Sequence, residues 1–98
     1  MKDEDLVFQN SDSIFREEDE GAFLFDPETG NLKFINEMGV HIYKMCRGEM
    51  TPRDIVDVVS EEYAEIPEEQ IYEDVTSFLR ELLEMKFLLT RPELSYGN

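Results

Sequence analysis

The chain has 98 residues, 41% of them hydrophobic with seven Phe and four Tyr, and a formal net charge of −15. That length suits one domain, and the aromatic content supplies a core, so a disordered body is excluded. The acidity removes the counterion-release drive for gripping a phosphate backbone and repels anionic bilayers, which argues against nucleic acid and membrane as partners. The same surface is a solvated, soluble one that still steers peptides bearing Lys or Arg.

Residues 1–13 are polar and acidic, with Leu6, Val7 and Phe8 as an apolar island. The expectation is a flexible acidic tail whose island docks as a short extra strand. Ile14-Phe-Arg16 is a first weak strand, ended by the charge run Glu17-Glu-Asp-Glu20 and Gly21. Ala22-Phe-Leu-Phe25 alternates as a second strand, with Phe23 and Phe25 on one face and Leu24 on the other. Asp26-Pro-Glu-Thr-Gly-Asn31 is a turn: Pro27 presets φ and Gly30 supplies the positive φ that closes it. Leu32-Lys-Phe-Ile35 returns as the third strand, with Leu32 and Phe34 on one face and Lys33 and Ile35 on the other. Hairpin order leaves this strand at a sheet edge guarded only by Lys33.

At Asn36 the period becomes helical. Asn36 is a good N-cap, Met38, Ile42, Met45 and Cys46 fall at helical spacing, and Gly48 stops the helix. Thr51-Pro-Arg-Asp54 starts a second helix as a capping box, with Ile55, Val58, Val59 and Tyr63 as its stripe. A third helix is predicted over residues 67–86. Ile71, Val75, Phe78, Leu79 and Leu82 line one face, flanked by Tyr72 and Leu83 on one side and by Asp74 and Met85 on the other. Phe87-Leu-Leu89 adds a short closing strand. The fold class is α+β and winged-helix-like: a three-stranded antiparallel sheet followed by three helices, over residues 14–89, with a C-terminal tail over 90–98.

No catalytic constellation accompanies these elements. His41 is the one histidine and has no ligand partner at metal spacing. Cys46 lies on an apolar stripe, where a small buried hydrophobe is the better reading than a nucleophile. The carboxylates come in adjacent exposed runs, whereas an acid–base pair needs two environments that separate their pKa values. Five scattered glycines make no phosphate loop. The expectation is therefore a binding module without enzyme activity, metal or cofactor. One cysteine, no bilayer-length apolar run and an acidic start predict a cytoplasmic protein.

The segment Phe34-Ile-Asn-Glu-Met-Gly-Val-His-Ile-Tyr-Lys-Met-Cys-Arg-Gly48 resembles the strand-to-helix block of the PqqD family. Thr51-Pro-Arg-Asp-Ile-Val56 and Asp74-Val-Thr-Ser-Phe-Leu-Arg-Glu-Leu82 resemble its second- and third-helix blocks. Two departures stand out: Glu37-Met-Gly39 where the family has small Thr and Ala residues, and Arg47 in place of Asp before Gly48. The resemblance implies a peptide chaperone, or recognition element, that binds the leader segment of a ribosomally made precursor peptide. Such a protein presents its leader to a modifying enzyme, often a radical S-adenosylmethionine enzyme. It implies a leader strand beside Leu32, Lys33, Phe34 and Ile35, lying against Val75, Phe78, Leu79 and Leu82, with Asp74 available to a leader cation. Either strand face and either helix flank can line the groove at this stage, and plain core packing accounts for each apolar residue equally well. An unprotected edge also allows a homodimer through paired edge strands. The alternatives are an acidic winged-helix-like interaction or regulatory module and, less favoured, a nucleic-acid binder, which would need a basic recognition helix where this chain has only Arg53.

Overall fold

The computed structural model describes residues 1–92. Its elements run β1 (Asp5–Gln9), β2 (Ile14–Glu18), β3 (Gly21–Phe25), β4 (Leu32–Asn36), α1 (Glu37–Met45), α2 (Pro52–Glu62), α3 (Glu68–Glu84) and β5 (Leu88–Pro92). The α+β class, with a three-stranded antiparallel sheet leading into three helices, is the one the sequence predicts. A second sheet of two strands, β1 with β5, is added to it.

Local chemistry accounts for most boundaries. In the β3–β4 turn the Asp26 carboxylate accepts from Glu28 N–H at 2.9 Å, and Gly30 takes φ 81° so that its N–H reaches the Asp26 carbonyl. Asn36 ends β4 and caps α1 at once, its side-chain oxygen accepting from Gly39 N–H at 2.8 Å. Strand therefore becomes helix with no linker. At α2, Thr51 Oγ1 accepts from Asp54 N–H and the Asp54 carboxylate accepts from Thr51 N–H, a complete capping box with Pro52 in the first turn. The face of α2 that enters the core is Ile55, Val56 and Val59, so Val56 replaces the predicted Val58.

The sheet packs its Ala22, Leu24 and Ile35 side onto α1 and α3, and Phe15 stacks on Tyr43 at 5.0 Å. Ile71, Val75, Leu79 and Leu82 of α3 complete the same core with Phe87 and Leu88. The helix stops earlier than periodicity predicts. Lys86 adopts φ 68°, Lys86 N–H donates to Leu83 C=O and Phe87 N–H to Leu82 C=O. This is a Schellman closure with lysine where glycine is usual, and it turns Phe87 into the core.

The expected N-terminal tail gives way at Asp5, and the predicted tail boundary at residue 90 falls inside β5. Val7 is fully buried, and β1 is paired on both sides. One side is β5, in the register Val7 with Thr90. The other is the α1–α2 loop, where Val7 N–H donates to Met50 C=O, Gly48 N–H to Val7 C=O and Gln9 N–H to Cys46 C=O. The apolar island was visible; its two backbone partners were not. Residues 93–98 of the predicted C-terminal tail lie outside the described residues.

Val7→Ala removes two buried methyl groups, so it should lower stability by about 2 kcal/mol and shift the urea midpoint accordingly. An unchanged midpoint would mean that residues 5–9 are not part of the folded core.

Candidate functional site

The two sheets treat their edges differently. β4 pairs with β3 alone, so its other edge carries no strand among the described residues. The hydrogen-bond phase of that edge follows from the turn. Asp26 N–H donates to Asn31 C=O at 2.9 Å, which makes this a bonded pair. Bonded and non-bonded pairs alternate along an antiparallel ladder. With Phe25 opposite Leu32, Leu24 opposite Lys33, Phe23 opposite Phe34 and Ala22 opposite Ile35, the bonded pairs fall at Lys33 and Ile35. Leu32 and Phe34 therefore turn their N–H and C=O groups outward.

Side chains alternate with the same two-residue period. Lys33 and Ile35 point to the helix side; Leu32 and Phe34 point to the opposite, exposed face. On the helix side, Lys33 Nζ pairs with Glu81 Oε2 of α3 at 2.8 Å. Phe78 of α3 presses on the first turn of α1: a β-carbon placed on Gly39 would lie 3.0 Å from its ring and 3.1 Å from Cβ of Ile35. Gly39, one of the departures from the family pattern, thus opens the seat for Phe78.

These contacts decide which side of α3 faces β4. Asp74, Phe78, Glu81 and Met85 lie in one row of three- and four-residue steps. Tyr72, on the opposite flank, instead directs its hydroxyl to the Asp3 carboxylate at 3.3 Å. The predicted site residues accordingly separate. Leu32, Lys33, Phe34 and Ile35 form the open strand, with half-buried Phe78 and exposed Asp74 on the facing row. Val75, Leu79 and Leu82 are fully buried, so their side chains support this row from beneath. Glu81 and Gly39 lie at the same junction, a placement that only tertiary contact reveals.

The remaining reactive groups are occupied. His41 Nε2 lies 2.7 Å from Glu62 Oε1, joining α1 to α2. Cys46 is buried at the C-cap of α1 and donates to Ile42 C=O at 3.3 Å. Burial pushes its thiol up to about 12. Among the described residues no group of three or more His, Cys, Asp or Glu is placed to hold a metal ion, and no helix is long and apolar enough to cross a membrane.

A small α+β domain in which the β4 edge lies open beside the last helix is the class these features define. The family model described as Coenzyme PQQ synthesis protein D (PqqD) matches residues 21–88, and the chain belongs to that family. Among curated proteins no sequence match is found. Solved structures share the fold at low identity. TbiB1 in complex with the TbiA(beta) leader peptide aligns with TM-score 0.71 and 22% identity, over 83% of this chain and 93% of that one. Lasso peptide synthetase B1 complexed with the leader peptide gives TM-score 0.74 and 19% identity, over 86% of this chain and 98% of that one. The heterocyclase TruD gives TM-score 0.60 and 21% identity, over 93% of this chain but 12% of its own.

Because the folded thiol pKa lies above its unfolded value of about 8.5, the stability Cys46 contributes is whole below that pH and fades as pH rises toward 12. At pH 8, iodoacetamide should alkylate native Cys46 about a hundredfold more slowly than the urea-unfolded chain. Equal rates would show a thiol open to solvent and available for chemistry.

Proposed function

We propose that this chain binds the leader segment of a ribosomally synthesised precursor peptide as a strand added along β4, and presents it to a modifying enzyme. The observation that carries this reading is the outward N–H and C=O of Leu32 and Phe34 on an edge strand set beside α3. An added strand sits about 4.8 Å from its neighbour and takes its affinity from backbone bonds, while alternate side chains supply selectivity. Here one set of peptide side chains would meet Phe78 and the row beside it, with Asp74 and Glu81 offering carboxylates to a cationic residue. Membership in the PqqD family supports the reading, as do two structures of like fold, each in complex with a leader peptide.

The enzyme is a separate protein in this reading, as the family resemblance implies. Family resemblance supplies one class for it, radical S-adenosylmethionine chemistry; TruD, of like fold over a small part of its length, is a heterocyclase. We place the protein in the cytoplasm, where a single free, buried cysteine needs no partner. A second copy adding its own β4 would make a homodimer and block the same edge, against the mutual repulsion of two chains of charge −15.

Amide exchange separates strand addition from any other mode of binding. With the leader encoded beside this chain, the Leu32 and Phe34 amides should become protected, while Lys33 and Ile35, already bonded to β3, change little. Protection confined to α2 would overturn the assignment. Phe78→Ala should weaken leader binding by about tenfold or more, the scale of an aromatic anchor, as read by fluorescence anisotropy. Unchanged affinity would remove α3 from the site.

A further inference from the structure

The β2-β3-β4 sheet has a second face that neither the core nor the proposed leader edge uses. Strand alternation places Ile14 and Arg16 of β2, Phe23 and Phe25 of β3, and Leu32 and Phe34 of β4 on the side away from the helices. Four of these are exposed apolar side chains: Ile14 at 52%, Phe25 at 36%, Leu32 at 60% and Phe34 at 47%. The rings of Phe23 and Phe34 meet edge to face at 5.3 Å, and Phe34 covers Gly21, whose absent β-carbon would lie 2.7 Å from that ring. Beside them Ile14, Arg16, Phe23, Phe25 and Leu32 line a depression of about 340 Å³. No described element covers this face. In a chain this rich in charge, a contiguous apolar surface marks a contact.

Charge selects the occupant. Both ends of the sheet are acidic: Glu18, Asp19 and Glu20 at the β2–β3 turn, and Asp26 and Glu28 at the β3–β4 turn. Arg16, the one cation among the described residues of the face, is held by Glu18 at 2.9 Å. A second copy would set acidic ends over acidic ends in either orientation, each copy carrying −15. A surface with an apolar centre and flanking Lys and Arg meets both requirements. A strand added to β4 would also widen the face, because every other peptide side chain would stand next to Leu32 and Phe34.

We propose that this outer face docks the modifying enzyme, through an enzyme surface with an apolar centre flanked by basic side chains. The enzyme would then touch the added leader strand and β4 together. The partner's identity rests on the leader-binding reading; the surface itself does not.

The test uses the full chain, the leader and the modifying enzyme encoded beside it. Ile14→Lys and Phe25→Ser change exposed positions on β2 and β3, off the β4 edge, and circular dichroism checks that each folds. The leader affinity of both variants should stay within about twofold of the unaltered chain, while enzyme affinity, measured with and without leader, falls by about tenfold or more. Unchanged enzyme affinity with leader binding intact would overturn the docking face and leave the leader reading standing. Loss of leader affinity in both variants would assign the face to the peptide and overturn it. So would sedimentation showing a dimer that either variant splits. If the unaltered chain binds the enzyme but no leader, the leader reading fails, and the variants still decide the face.

Discussion

One strand with half of its ladder unmade governs this molecule. β4 is fixed on three counts: it pairs with β3, its Ile35 is anchored in the core, and its last residue caps α1. Its outer backbone groups have no strand partner among the described residues. The other end of the fold shows how differently an edge can be handled. β1 lies between β5 and the α1–α2 loop, so its groups are bonded on both sides. The outer sides of β2 and β5 are likewise without a strand among the described residues, and an open edge of this kind can pair with an added strand.

Rigidity around that edge comes from short connections. The β4–α1 junction has no loop, so the strand cannot slide without uncapping the helix. Gly39 lets Phe78 sit against both α1 and Ile35, which ties α3 to the same junction. Edge, first helix and last helix therefore meet in one packed junction. A peptide binding there meets a surface that is already ordered, which limits the ordering entropy of association to the peptide's own.

Much of this was legible in the residues themselves, and the failures have physical causes. The hairpin was readable because Asp26, Pro27 and Gly30 are turn-forming for separate reasons, and the start of α2 because a capping box needs only four residues. The end of α3 was hidden because Lys86 holds a left-handed position that usually announces itself as glycine. The pairing of β1 with β5 joins opposite ends of the chain, and no local pattern encodes a partner so distant. The flank of α3 facing β4 was undetermined because Tyr72 with Leu83 and Asp74 with Met85 border the buried stripe symmetrically; only the reach of Lys33 to Glu81 and the seat of Phe78 break the tie. Val75, Leu79 and Leu82 show the limit of periodicity, which finds the inward face of a helix but not how deep it goes.

The antiparallel match of Asp5 with Pro92 has a topological consequence. Backbone enters and leaves the domain at a single spot, remote in sequence from the open hairpin strand. A host polypeptide could break at a surface loop, take in the whole unit there, and resume its course with its own two ends hardly parted. That arrangement suits a unit that folds equally well as a free subunit or as a passage within a longer polypeptide.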